Sequence, residues 1–364
     1  MMSVSDFRRF DRHPGKPGPD HSTRQVVRST ESPYAFAYAR TAFKYGLLAV
    51  GLQRGDELLV PAFICESLMH PLQELGIETS YYAVDSSLRP IWSDVEANVS
   101  ERSRGLVLVH YFGQPNDLAP GNAFCKSHRL LLIEDNAHGF GATWNGRLLG
   151  TFGAMGITAP RKSFPVRNGA YLHLGNEWQM DLPELAPQPD PRNRLRAWLA
   201  SHARQSPRWL ASRRELRRRR GPAPPYHSQY AYRDPPLAED YGMDSNAAAM
   251  LETQDLASIR QQRQAIFEVW SEWAETRGLE PVFECADPGS MPLVFPALVS
   301  DPSEARQWFQ KGHAAGIDIH SWPTLPLDIV AEDAAAMRLW GRLVCFPIHQ
   351  YMDPNALATR LKQL

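Results

Sequence analysis

The chain has 364 residues, 43% hydrophobic and 22% charged, and its 39 Lys and Arg nearly balance 40 Asp and Glu for a net charge of −1. That composition excludes collagen-like and low-complexity classes and gives no global attraction to nucleic acid or to an anionic membrane surface. The length accommodates two domains, or a large domain carrying a smaller one.

Four cysteines, Cys65, Cys125, Cys285 and Cys345, are scattered and never approach C-x-x-C spacing, so neither a metal site nor a disulfide framework is expected. Free thiols fit a reducing, cytoplasmic compartment. The polar first residues lack a signal-peptide core, and no run of eighteen apolar residues marks a transmembrane segment.

Residues 1–30, rich in Pro, Gly, Arg, Asp and Ser, read as a flexible N-terminal arm. The run AFAYARTAFKYGLLAVGL (35–52) has helical apolar spacing, with Thr41 where an N-cap belongs and Ala42 and Phe43 opening the helix. GDELLVPAF is a strand that Pro61 should stop. CESLMHPLQELGI reads as a helix and ETSYYAVD as a strand. RGLVLVHYFG, a helical AFCKSH stretch and RLLLIEDNAHG follow. LVLV and LLLI are almost continuously apolar, as parallel strands buried on both faces are. The alternation predicts an α/β domain with a mostly parallel sheet and a ligand site outside the carboxyl ends of its strands.

The texture changes over 176–234, a proline-rich segment with eleven arginines between Arg192 and Arg220. Such a run reads either as a solvated face or as a surface for an anionic partner: a nucleotide diphosphate, a carrier-protein phosphopantetheine or acidic lipid headgroups. Helical spacing over 244–277 is long enough for an interdomain helix. Short strands (PLVFPALV, RLVCFPI) then alternate with helices (EARQWFQKGHAAG, PNALATRLKQL), the pattern of a small α+β domain. The expected division is an arm (1–30), a large domain (31–245, with 176–234 inserted) and an interdomain helix with a small C-terminal domain (246–364).

Three segments carry candidate chemistry. IEDNAHGFGA places Glu134 and Asp135 at the carboxyl end of a buried strand, where charge needs a cationic partner; an Asp or Asn there also serves as a helix cap. In TFGAMGITAPRKSFPVRNGAYLHL, Lys162 lies between prolines and beside Arg161. Burial or a neighbouring cation favours its neutral amine, the form that attacks a carbonyl; a loop lysine can equally be simply solvated. ARTAFKYGLL offers a helix start whose amides and dipole suit a phosphate, or a plain capped helix.

Taken in order, RTA, GDELLVPAF, GQPND, IEDNAHGFGA, LLGTFGAMG, RKSFPV, GIDIHSWP and LVCFPIH resemble the DegT/DnrJ/EryC1/StrS aminotransferases, from about Arg40 to the C-terminus. The resemblance implies the pyridoxal-phosphate-dependent transferase fold of aspartate aminotransferase type I: a large mostly parallel-sheet domain with a small C-terminal α+β domain. It implies pyridoxal 5′-phosphate held by Lys162, with Asp135 pairing the pyridine nitrogen and His138 near the phenolic oxygen. Thr41 and Ala42 would bind the phosphate, and Thr158 would add a hydroxyl. It further implies a homodimer, an amino donor such as glutamate and a keto acceptor, perhaps a nucleotide-linked keto-sugar of polysaccharide biosynthesis. The family's sugar dehydratases carry histidine in place of this lysine.

Two positions depart from the family pattern. Cys65, with Phe63 the nearest ring, stands where the family often has an aromatic residue on the cofactor, and Asp240 stands where an asparagine reaches the partner's phosphate. These departures keep two other readings open: a different pyridoxal-phosphate reaction on an amine, or a non-catalytic binding protein of this fold. His320 and Trp322 match a segment near the substrate pocket, although packing explains Trp322 as well.

Overall fold

The computed structural model describes residues 33–188 and 235–362. The arm at 1–30 and the arginine run at 192–220 lie outside the described residues.

The chain opens with β1 (Tyr34–Phe36) and α1 (Ala39–Ala49), followed by β2 (Glu57–Pro61), α2 (Met69–Leu75), β3 (Glu78–Tyr82), α3 (Trp92–Ala97) and β4 (Ser103–Val109). Next come α4 (Leu118–His128), β5 (Leu131–Asn136), the hairpin β6 (Thr143–Trp144) and β7 (Arg147–Leu148), then β8 (Met155–Thr158), α5 (Pro160–Ser163) and β9 (Ala170–Leu174). Seven of these strands form one sheet in the order β1-β9-β8-β5-β4-β2-β3. The five strands from β8 to β3 are mutually parallel, and only the pairings of β9 are antiparallel.

Burial on both faces explains the continuous apolar runs. Ile133, Ile157 and Leu172 pack with Phe43 and Leu47 of α1, while Leu106, Leu108 and Leu132 pack on the other face with Leu118 and Cys125 of α4. The β6–β7 hairpin turns at Asn145 (φ 48) and Gly146 (φ 79), the Asn-Gly pair that a two-residue turn with two positive φ angles requires.

The helical spacing over 35–52 is only partly realised. Tyr34–Phe36 are drawn into antiparallel pairing with Ala170–Leu172, and α1 starts afterwards with Tyr38 as its N-cap. Thr41 is therefore inside the first turn, not at the cap. The expected helix at 244–277 is likewise two helices, α6 (Ser245–Glu252) and α7 (Leu256–Glu275). They are separated because the Asp255 carboxylate accepts the amides of Ala257 and Ser258 and caps the second.

Beyond α7, β10 (Glu280–Pro281), β11 (Val294–Leu298), α8 (Pro302–Ala315), α9 (Leu327–Glu332), α10 (Ala334–Arg342), β12 (Leu343–Pro347) and α11 (Pro354–Leu361) follow. The three strands form an antiparallel sheet, β10-β11-β12. Its core is aromatic, with Phe267, Trp270, Trp308 and Phe346 in contact. Helix α7 spans both layers: Leu256 and Ile259 pack beside Phe140 and Phe164 of the large sheet's periphery, and Ile266 to Ala274 enter the small core.

The two parts are also stitched through backbone. Met291 N–H donates to Gly113 O (3.0 Å) and Leu293 N–H to Phe112 O (2.8 Å). Gly113 has φ +82 and lies so close to Met291 that a Cβ would stand 2.2 Å from its carbonyl oxygen, so only glycine fits. No helix among the described residues is long and apolar enough to cross a membrane.

Candidate active site

The parallel strands end on one edge of the sheet, and α1 begins there. Asp135 is the penultimate residue of β5, paired with Val109 of β4, and its Oδ1 accepts the Ala137 amide at 2.9 Å. Burial pushes the Asp135 carboxyl above its ordinary value, and the positive charge of Lys162 beside it offsets that only in part. Lys162 sits in α5, a single turn started by Pro160, just past the end of β8. Its Nζ stands 5.0 Å from the centre of the Trp322 ring. The structure thus brings Lys162 and Asp135 into one electrostatic unit.

His138 is buried beside them. Its Nδ1 accepts the Phe112 amide at 3.0 Å, which leaves the ring proton on Nε2. The ring stacks on Phe112 (5.5 Å between centroids, 15°) and meets Trp322 edge-on at 5.5 Å. Burial, followed by the Lys162 charge, holds the imidazole well below its ordinary pKa, so it is a neutral donor at Nε2.

The start of α1 is adjacent, since Arg161 lies over the ring of its N-cap Tyr38 at 5.3 Å. First-turn amides have no partner within a helix. The Ala42 amide, however, donates to Tyr38 O at 3.0 Å, so the phosphate contact expected from it is not available. The amides that precede it in the first turn are those of residues 39 to 41. The Thr41 hydroxyl is buried and has no hydrogen-bond partner among the described residues.

Thr158 is placed elsewhere. It pairs with Asn136, and strand alternation puts both on the sheet face opposite Asp135. There its methyl approaches Gly150. Thr158 therefore lies on the other face from Asp135, and its buried hydroxyl, like that of Thr41, has no hydrogen-bond partner among the described residues.

The two departures resolve into local contacts. Asp240 pairs with Lys44 of α1 at 2.8 Å, with Glu74 on the same ammonium at 2.5 Å, so its segment runs along α1. Phe63 is fully buried, its carbonyl taken by the Tyr111 hydroxyl, and offers no face to a ligand. Cys65 Sγ meets Ser67 Oγ at 3.1 Å, and the Glu66 amide donates to Thr324 O at 2.8 Å. That bond docks the loop carrying Trp322 on the segment after β2, and Trp322 supplies the ring that reaches Lys162.

Sequence reasoning missed the support beneath Asp135. His110 at the end of β4 and Glu134 of β5 are fully buried and 3.0 Å apart. His110 Nδ1 accepts the Asn116 amide, so Nε2–H donates to the carboxylate. Glu134 also accepts the amides of Gly150 and Gly153 at 2.8 Å and that of Phe152. Burial alone would raise its pKa, but His110 and these amides outweigh it and hold it below 4.5. The signal was legible as a His at one strand end and an acid beside it on the next.

Breaking this cluster with Glu134→Gln is expected to destabilise the fold by about 3–5 kcal/mol. The stabilisation from Glu134 is complete above its unfolded value and is lost as pH falls through the lowered folded value. Urea midpoints measured down a pH series should therefore fall at acid pH in the parent more than in the variant. Equal midpoints for the two proteins at neutral pH would refute this role.

Residues 29–164 match the model of the DegT/DnrJ/EryC1/StrS aminotransferase family. This segment is similar to that family, and it holds α1, β5, β8 and α5, and so every residue of the site except Trp322. Over 108 residues the chain is 32% identical to GDP-4-keto-6-deoxy-D-mannose 3-dehydratase of Escherichia coli O55:H7, covering 29% of this chain and 27% of that protein. Over 113 residues it is 30% identical to GDP-perosamine synthase of Escherichia coli O157:H7, covering 31% of each. The matched region thus spans only about a third or less of these relatives' length. Among solved structures, the aminotransferase TlmJ of Streptoalloteichus hindustanus superposes with a TM-score of 0.64 at 16% identity, over 91% of this chain and 85% of that one. The pyridoxal-phosphate form of the sugar aminotransferase Spr1654 of Streptococcus pneumoniae gives 0.62 at 13% identity, over 91% and 87%. At such identities the likeness establishes the fold, that of the pyridoxal-phosphate-dependent aminotransferases. The likeness to the DegT/DnrJ/EryC1/StrS family rests on the N-terminal segment.

Proposed function

We propose that this chain is a pyridoxal-phosphate-dependent aminotransferase that moves an amino group from a donor such as glutamate to a keto acceptor of the nucleotide-linked keto-sugar class. The observation that carries the reading is the meeting of Lys162 and Asp135 at the carboxyl ends of parallel strands, beside the start of α1. The donor set fits the cofactor. Thr41 offers an orphaned buried hydroxyl next to first-turn amides for a phosphate, and Asp135 offers a carboxylate on the same face. His138 adds a neutral N–H.

When bound, the cofactor supplies a carbonyl for amine exchange and a ring that accepts the electron pair left by C–H cleavage. The rest is the work of side chains. Lys162 Nζ would hold the cofactor covalently and would accept and return a proton at that nitrogen. The Asp135 carboxylate would hold the cofactor's ring nitrogen and His138 Nε2–H would donate to its phenolic oxygen, while the Trp322 ring lies against Lys162. Lysine at 162 separates this reading from a sugar dehydratase, for which the family pattern implies histidine.

A cytoplasmic homodimer belongs to the same reading, as does a place in sugar or polysaccharide biosynthesis. The division into a large domain to residue 245 and a small one from 246 also belongs to it. The test is the visible spectrum of the purified chain with pyridoxal phosphate. A band that borohydride bleaches, and that glutamate converts to the pyridoxamine form, supports it. A bleachable band that no amino donor converts points instead to a different reaction on an amine. Absence of any bleachable band overturns the cofactor assignment.

A further inference from the structure

A four-residue helix has no stability of its own, because nucleating a turn costs more than its single hydrogen bond returns. Yet α5, Pro160–Ser163, must hold Lys162 in a fixed place. Its last carbonyl, that of Ser163, is the orphan of a helix C-terminus. Arg263 of α7 meets it: Nη2 donates to Ser163 O at 2.9 Å. The same guanidinium donates to Pro292 O at 2.7 Å and to Gln350 Oε1 at 2.7 Å. Gln350 Nε2 closes the figure on Ser163 O at 3.4 Å.

Arg263 is 1% exposed, and no carboxylate among the described residues pairs with it. A charge buried on neutral acceptors is costly, and an apolar side chain of similar size is the cheaper filling. What the guanidinium provides is geometry, since its planar fork holds several acceptors in one rigid arrangement. Those acceptors are informative. Ser163 follows Lys162. Pro292 lies between Met291 and Leu293, whose amides donate to Gly113 and Phe112, and the Phe112 amide in turn holds His138 Nδ1. Gln350 follows the last strand of the small sheet. One buried cation therefore joins the support of Lys162, the support of His138 and the small domain.

We infer that Arg263, with Gln350, is the positioning residue of Lys162, setting where Nζ stands relative to His138 and to the small domain. The inference rests on the reading of Lys162 as the cofactor lysine. A purely structural role would affect stability without altering the lysine's surroundings, so the test separates the two.

Full-length parent, Arg263→Lys, Gln350→Ala and a destabilised control, Phe267→Leu in the small core, are compared. Two readouts are taken on folded protein: the visible circular dichroism of bound pyridoxal phosphate per unit absorbance, and, in the cofactor-free protein, acylation of Lys162 relative to the exposed Lys126. Gln350→Ala, which leaves the guanidinium in place, guards against Arg263→Lys failing to fold. The dichroism ratio is expected to fall at least twofold, and the Lys162 to Lys126 labelling ratio to shift at least threefold. Both should change in the folded variants and stay constant in the control. Unchanged ratios in the folded variants, or equal changes in the control, overturn the positioning role. If the parent binds no pyridoxal phosphate but the labelling ratio still shifts, the cofactor reading fails and the positioning stands.

Discussion

Lys162→Ala is expected to lose covalent capture of pyridoxal phosphate and to lower the amine-transfer rate by at least about 10³-fold. Two roles vanish together, the nucleophile and the proton carrier, and positioned proton transfer alone is worth roughly 10²–10⁴. Lys162→Arg separates charge from chemistry. It keeps the cation beside Asp135 and over Trp322, but a guanidinium does not deprotonate and so cannot attack a carbonyl. Both variants should therefore fail in capture, while the arginine variant keeps the charge environment of Asp135. Borohydride treatment followed by peptide mass analysis reads the result directly. Cofactor fixed on another lysine in Lys162→Ala, or turnover within tenfold of the parent, would refute the assignment.

Asp135→Asn carries an effect of opposite signs on activity and stability. The folded carboxyl titrates above its ordinary value of 3.8 because burial outweighs the attraction of Lys162. The native state therefore binds more protons than the unfolded one across that window, and stability falls as pH rises through it. Above the raised folded value the penalty of the ionised group is fully present. Removing the charge is expected to raise the Tm of the cofactor-free chain, as relief of strain at a functional site does. The same change removes the anion that keeps the pyridine nitrogen protonated and should lower the rate by about 10²–10³, the scale of losing one preorganised electrostatic contact. Thermal melts without cofactor and single-turnover rates with it give the two halves. A variant that melts lower than the parent and turns over normally would show that Asp135 is a structural cap.

Much of this was legible from residue order. The strands of the large sheet appear as apolar runs, since burial on both faces leaves no room for alternation. Lys162, Asp135 and His138 were singled out through the resemblance to the DegT/DnrJ/EryC1/StrS pattern, and each lies within a few residues of a strand end. Pairing with distant segments was not readable. Tyr34–Phe36 carry a helical pattern and become a strand through the hydrogen bonds of β9, more than a hundred residues away. That shift moved the start of α1 and put the Ala42 amide into the helix's own hydrogen bonding. The sheet face of Thr158 was unreadable for a related reason: its spacing from Lys162 is local, but its face depends on register with Asn136.

What the sequence by itself determined is the class of fold, because periodicity is a local property of the chain; the candidate reactive groups came from the resemblance of its motifs. Only the tertiary structure decided which groups meet. Glu134 is an awkward buried charge until His110 and three loop amides surround it, and Trp322 is an ordinary aromatic residue until the Glu66–Thr324 bond docks it beside Lys162. Arg263 looks like one more polar residue of an amphipathic helix until three carbonyl oxygens converge on it. Each of these contacts joins segments far apart in the chain, and only the folded packing brings such segments within hydrogen-bonding distance.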